Sequence, residues 1–247
     1  MRLHITGATG YLGSELARLR PEASTERVEI RDADAVDELL RHLRPEVVIH
    51  TAYWQEGPEA NAINVDGSRN VARAAAGIGA RLLHMSTDVV FCGRCKGDGR
   101  YVERDRACPV TDYGASKADA EDAVRQEHPD AVIVRTSLIY RGAEPSKHEL
   151  AALDPSVTFY SDEIRTPIHV RDLARALLEI PELDVSGPLH VAGADAVSRL
   201  EFAELIARRP LVGAPAPDDR PLNCALDSSR AQGLLRTRLR GVREVLA

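Results

Sequence analysis

Aromatic side chains are scarce in this sequence: three Phe, one Trp and six Tyr among 247 residues, or 4%. Ala, Val, Leu and Ile must therefore fill most of the core of a chain that is 44% hydrophobic. Its length suits one α/β domain, or one domain plus a small lobe. No apolar run reaches the roughly 18 residues that cross a bilayer, which argues against a membrane protein. Net charge is -6, which argues against a nucleic-acid partner, since such a surface needs a basic patch. The opening MRLHITGATG lacks a basic region followed by a long apolar segment, so no signal peptide and a cytoplasmic location are expected. Cysteine is sparse too. Cys92 and Cys95 form one CxxC, while Cys108 and Cys224 stand alone along the chain. The spacing reads as loop thiols without a metal, a local disulfide being the open alternative.

What is present is a strand–helix alternation. LHIT (3–6) runs into a glycine loop and a helix carrying Leu12, Leu16 and Leu19. VEI (28–30) reads as a short strand. Asp32 or Asp34 caps a helix bearing Val36, Leu39, Leu40 and Leu43, with Pro45 beyond its end. VVIH (47–50) is a buried parallel strand, 59–77 a helix and RLLHMS (81–86) another strand. A long loop from Val89 to Pro109 precedes a helix at 112–127 and the strand AVIVRTSLIY (131–140). Beyond Arg141 the pattern loosens into VTFY, PIHV, a helix at 171–180, LHVAG and a helix near 198–208. The expected fold is α/β: a Rossmann-type, doubly wound parallel sheet with a small C-terminal lobe. Residues 1–247 are read as a single unit, 1–140 mainly a dinucleotide-binding core and 141–247 mainly a substrate lobe.

GATGYLG places Gly7, Gly10 and Gly13 between a strand and a helix. Such glycines allow a tight turn and close backbone approach, and the helix N-terminus offers unpaired N–H groups to a pyrophosphate. Thr9, Tyr11 and Leu12 belong to the same loop. Asp32, 19 residues after Gly13, is spaced to read an adenosine ribose, or only caps its helix; Arg31 beside it can approach a 2′-phosphate. His4, His50 and His84 lie in strands and read as core histidines. Asp88 contacts substrate or caps a turn, and Trp54 lines a pocket or packs as core. Asp162 and Glu163 read as a solvated loop.

Four further stretches align with the glycine loop: NVDG (64–67), STDVVF (86–91), YGASK (113–117) and RPLNCALD (220–227). Taken in order, the set resembles the extended short-chain dehydrogenase/reductase superfamily, and within it the dTDP-4-dehydrorhamnose reductase family of sugar-nucleotide-binding proteins. The resemblance spans Leu3 to Asp227. It implies a catalytic hydroxyl on Thr87, a proton donor on Tyr113 and the family's lysine on Lys117, which also meets the cofactor. It places Gly7, Gly10 and Gly13 on the cofactor pyrophosphate, Ala52 and Tyr53 near the cofactor, and Arg220 and Asn223 near a nucleotide-sugar substrate. The implied cofactor is NADP(H) or NAD(H). The implied reaction is reduction of a nucleotide-linked 4-keto-deoxysugar, with a homodimer compatible. An ammonium near Tyr113 is expected to lower its pKa from the ordinary value of about 10.

Three departures stand out. The family fits two strands between the glycine loop and VVIH, whereas PEASTER (21–27) is a poor strand; one strand is expected to be missing near 21–30. Leu138 stands where the reductases commonly carry a tryptophan, and Cys92 where an aspartate is usual. An epimerase or dehydratase on the same scaffold, or a non-catalytic nucleotide-binding subunit, stays open beside the reductase.

Overall fold

The computed structural model describes residues 1–97, 99–141 and 145–246. Strand β1 (Leu3–Thr6) leads through the glycine loop into helix α1 (Tyr11–Leu19). Helix α2 (Ala33–Leu43) precedes β2 (Val47–His50); a π-helical turn (Ala62–Gly67) runs into α3 (Ser68–Gly77). Strand β3 (Arg81–Thr87) is followed by a long loop, α4 (Asp112–Glu127) and β4 (Val132–Thr136). Next come β5 (Ile139–Tyr140), α5 (Lys147–Leu153), β6 (Phe159–Tyr160), β7 (Ile164–Arg165), β8 (Ile168–His169) and α6 (Val170–Glu179). Then follow β9 (Gly187–His190), β10 (Val197–Ser198), α7 (Arg199–Ala207), β11 (Gly213–Ala214), α8 (Ser229–Leu234) and α9 (Val242–Leu246).

The main sheet has the order β1-β2-β3-β4-β9, and every pairing is parallel. Alternation along each strand sorts the side chains onto two helical layers. Val47, Ile49, Leu83, Met85, Val132 and Val134 pack with α1 and α6, while Val48, Leu82 and Ile133 pack with α2, α3 and α4. Burying each of these side chains contributes about 1.5–3 kcal/mol.

Two expectations need correction. Among the described residues no strand forms between α1 and α2. VEI is irregular, and only Ser24 pairs with β1, in a single bridge to His4. The sheet therefore ends at β1, two strands short of the family pattern rather than one. The expected strand at 131–140 breaks at Ser137 and Leu138 into β4 and β5, and β5 pairs β8 outside the main sheet.

The sheet face under α4 turns polar toward the C-terminal ends of its strands. Val48 gives way to His50, Leu82 to His84 and Ser86, and Ile133 to Arg135. These groups are buried, so each needs a partner. Arg135 forms a two-pronged pair with Glu121 of α4, Nε to Oε1 at 2.9 Å and Nη2 to Oε2 at 2.7 Å. Ser86 Oγ donates to the same Oε1 at 2.6 Å. His50 bridges Thr6 (2.6 Å) and Ser68 (3.1 Å), and His84 Nε2 meets Lys117 Nζ at 3.4 Å. The strand histidines are thus packed core groups, and His84 also braces the lysine of YGASK.

Removing one partner of a buried pair leaves a bare charge. Glu121→Ala is expected to lower the unfolding free energy by about 3–5 kcal/mol, read by urea denaturation. A loss under about 1 kcal/mol would mean the pair is not holding α4 to the sheet.

Candidate active site

A cleft of about 1110 Å³ opens at the C-terminal ends of the parallel strands. That is where ligands bind in open α/β sheets. Its lining brings together Gly10, Tyr11, Leu12 and Gly13 from the glycine loop with Tyr53, Thr87, Asp88, Tyr113, Lys117 and Arg220.

The loop is shaped for a group that approaches the backbone. Gly7 adopts φ +71°, and a Cβ there would stand 2.6 Å from the backbone nitrogen of Ala52. A Cβ on Gly13 would collide with the Gly7 carbonyl and Ala8 Cα. Gly10 N–H is spent on Gly7 O, and the first intrahelical bond runs from Ser14 to Gly10. The amides of Tyr11, Leu12 and Gly13 therefore precede the helical bonding and face the cleft end of α1, as a pyrophosphate site requires. Gly7 and Ala52 shape this turn from behind. Thr9 is exposed and lies outside the cleft lining.

The two adenosine-end candidates lie elsewhere. Asp32 caps α2 by accepting Ala35 N–H at 3.1 Å. Arg31 is paired with Glu29 at 2.9 Å and Glu59 at 3.2 Å. Neither lines the cleft. Helix capping is the role of Asp32 that this geometry displays.

Thr87 ends β3, and Tyr113 sits in the first turn of α4, capped by Thr111 through the Gly114 N–H at 3.1 Å. Gly114 lets the start of α4 approach the turn after β3, since a Cβ there would collide with the Val89 carbonyl. Thr87 Oγ1 donates to Asp88 Oδ1 at 3.2 Å, and Ser137 Oγ donates to Asp88 Oδ2 at 2.5 Å. Arg165 Nε lies 3.7 Å from Asp88 Oδ2. Asp88 is thus a buried carboxylate that orients the Thr87 hydroxyl. Burial pushes its carboxyl up, against the pull of Arg165, Ser137 and Thr87.

The protonation pattern differs from the expectation. Tyr113 is raised well above an ordinary tyrosine, first by burial, then by Tyr53, whose ring centroid lies 6.0 Å away, and by Asp88. Lys117 is lowered to about 8 by burial, against the opposing pull of Glu121. Its ammonium turns to His84, and no bond joins it to the phenol among the described residues. The arrangement holds Tyr113 as a protonated phenol, a proton donor.

Several groups escaped sequence reasoning. Glu163, expected on a solvated loop, is buried; it pairs with Arg165 at 2.7 Å and Arg220 at 3.1 Å. Arg165 and Arg199 join Arg220 on the cleft wall. Leu138 lines the cleft, but Trp54 is 58% exposed, neither core nor cleft wall, with its backbone held by buried Asn64 at 2.9 and 2.8 Å. Asn64 also reaches Ser116 of α4 at 2.9 Å. Asn223 lies outside the cleft lining; its amide donates to the carbonyls of Gly97 (2.7 Å) and Gly99 (3.0 Å). Spacing carries no signal for Glu163–Arg220, Asn64–Ser116 and Asn223–Gly97, whose partners lie 57, 52 and 126 positions apart.

Because the lysine's value falls from 10.5 to about 8 on folding, the folded state favours the neutral amine. Its contribution is complete above about pH 10.5 and is lost as pH falls to about 8. Stability relative to Lys117→Met should therefore drop by roughly 3 kcal/mol across that window and stay level below it. Denaturation curves recorded from pH 7 upward check the sign.

The family model described as RmlD substrate binding domain matches residues 1–247. The dTDP-4-dehydrorhamnose reductase of Mycolicibacterium smegmatis is 34% identical over 99% of this chain and 84% of its own length. Methionine adenosyltransferase 2 subunit beta of Pongo abelii is 30% identical over 94% of this chain and 82% of its own. The crystal structure of dTDP-4-dehydrorhamnose reductase from Bacillus anthracis in complex with NADP matches with a TM-score of 0.85 at 28% identity. It covers 99% of this chain and 96% of that one. With the glycine loop, the Thr87–Tyr113–Lys117 grouping and the parallel sheet all in one cleft, the chain belongs to the RmlD substrate-binding-domain family.

Proposed function

We propose that this protein is an NAD(P)H-dependent reductase of a nucleotide-linked 4-keto-deoxysugar, of the dTDP-4-dehydrorhamnose reductase kind. The observation that carries the reading is the convergence of Thr87, a protonated Tyr113 and buried Lys117 with the α1 N-terminus in one cleft. The dinucleotide, when bound, supplies the hydride. The amides of Tyr11, Leu12 and Gly13 hold its pyrophosphate, and Tyr53 and Lys117 lie along the same wall. NADP(H) is the cofactor favoured by the relative crystallised with NADP. To meet the adenosine end, Arg31 would leave Glu29 and Glu59, and Asp32 would share its carboxylate with the Ala35 N–H that it caps.

The Tyr113 phenol addresses the substrate carbonyl oxygen, where negative charge develops, and Thr87 joins it when its one hydroxyl proton turns from Asp88 to that oxygen. Tyr113 then gives its proton to that oxygen and is reprotonated from solvent. Arg165, Arg199 and Arg220, set against the carboxylates of Glu163 and Asp88, put guanidinium donors on the cleft wall that suit the phosphates of a nucleotide sugar. Residues 1–140 would serve mainly the cofactor and 141–247 mainly the substrate. Asn223 acts on this substrate wall indirectly, by tying the Gly97 and Gly99 carbonyls to it.

The likeness to a methionine adenosyltransferase subunit favours a second reading, a nucleotide-binding partner subunit without turnover. The two separate cleanly. A reductase consumes NADPH with a dTDP-4-keto-6-deoxysugar, and Tyr113→Phe lowers kcat by about 10²–10⁴-fold while NADPH still binds in calorimetry. Full activity of Tyr113→Phe would sink the mechanism. NADPH binding by the wild type with no turnover would favour the partner subunit.

A further inference from the structure

Cys108, isolated along the chain, is folded back onto the CxxC. Its sulfur lies 3.1 Å from Cys92 Sγ, and Cys92 Sγ lies 3.3 Å from Cys95 Sγ. All three sulfurs fall within 4.8 Å of one another. A cysteine packed for its bulk is buried; here only Cys92 is, while Cys95 is exposed and Cys108 half-exposed. Core packing does not account for three thiols brought edge to edge at a surface.

The backbone is arranged around sulfur. Cys92 N–H donates to Cys108 Sγ at 3.3 Å, and Arg94 N–H donates to Cys92 Sγ. Gly93, at φ +72°, makes the turn that aims the Arg94 amide. Such N–H bonds favour thiolate over thiol. Cys108 N–H donates to Val90 O at 2.8 Å, which holds the two ends of the loop side by side.

We propose that Cys92, Cys95 and Cys108 form a three-thiolate site for a zinc-class divalent ion, with a water in the fourth position. Tetrahedral zinc at about 2.3 Å from sulfur spaces its thiolates about 3.8 Å apart, so the sulfurs now at 3.1 and 3.3 Å open by about half an ångström to admit it. Binding releases the thiol protons to solvent and fills the gap between sulfurs that already face one another. Cys95 supplies the solvent-side entry.

The location gives the ion a structural consequence for the cleft. Cys92 lies five residues after Thr87, and Cys108 five before Tyr113. The site clips the long loop that joins these two residues. The same turn carries the substrate wall: Leu222 N–H reaches Cys92 O at 3.4 Å, Asn223 N–H reaches Gly93 O at 3.0 Å, and Arg94 Nη2 holds Asp218 O at 2.6 Å. Closing a loop with a metal stabilises it by removing freedom from the open chain. The ion would therefore anchor both the loop and the Arg220 segment without touching a reacting atom.

Cobalt(II) titration of the reduced full-length protein tests this directly. The wild type should show a thiolate-to-cobalt charge-transfer band and the intense visible absorption of a tetrahedral site, saturating at one ion per chain and displaced by zinc. Cys95→Ser and Cys108→Ser should each lose the charge-transfer band or drop its intensity by about a third or more, one of three thiolates being gone. Cys224→Ser should keep it, since Cys224 donates to Phe91 O away from the cluster. Zinc should slow tryptic cleavage at Arg94 and Lys96 in the wild type and not in Cys95→Ser. Equal spectra for wild type and Cys95→Ser, or no band at all, would overturn the site. So would recovery, from anaerobic reducing preparation, of a chain short of two hydrogens with Cys92 disulfide-bonded and no bound metal. Because Cys95 is exposed, its substitution does not threaten folding, and these readouts do not depend on the reductase assignment.

Discussion

The Glu121–Arg135 ion pair is the constraint on which the cleft depends. Arg135 rises from β4 into the layer under α4, where an unpaired guanidinium would be untenable. Glu121 answers it with both carboxylate oxygens and still accepts the Ser86 hydroxyl. One carboxylate thereby ties α4 to two adjacent strands at their C-terminal ends. Lys117 stands one turn earlier on the same face of α4, and Thr87 follows Ser86 directly. The distance from helix to strand end, and so the mouth of the cleft, is set by this pair.

Burial then decides the chemistry of the groups so placed. Lys117 loses part of its hold on its proton, Tyr113 tightens its own, and Asp88 is pushed up while Arg165 resists. The tyrosine's proton-donor character comes from its enclosure and from Asp88 and Tyr53, not from the lysine four residues on. Lys117 is itself constrained by His84 and Glu121. A lysine shared among those neighbours is a positioned group before any cofactor arrives.

Much of the fold was legible because period-two alternation and strand–helix order are local signals. VVIH, RLLHMS and the helix at 112–127 lie where the pattern predicts, and GATGYLG is a strand-to-helix turn with its amides open. VEI was misread because three apolar-to-polar residues carry strand propensity, while pairing needs a neighbour. Beside β1 only Ser24 is in reach. Glu163 reads as solvated along the chain because Arg220, 57 residues on, joins neighbouring Arg165 in pairing it only once the chain has folded. Arg31 and Asp32 have a spacing that suits an adenosine, and in the fold they also find Glu29, Glu59 and the Ala35 N–H as neighbours.

The sequence by itself determined the parallel α/β scaffold, the glycine turn and the Tyr–Lys register, because each rests on backbone periodicity or on steric rules within a few residues. Only the tertiary structure decided the rest: that the sheet stops at β1, that Ser137 and Arg165 hold Asp88, that three arginines share one wall, and that Cys108 returns to Cys92 and Cys95. Those outcomes depend on contacts between residues 16 to well over 50 positions apart, as in the Cys92–Cys108 and Arg220–Glu163 pairs. Contacts over such separations are selected by the packing of whole elements, and no local pattern encodes them.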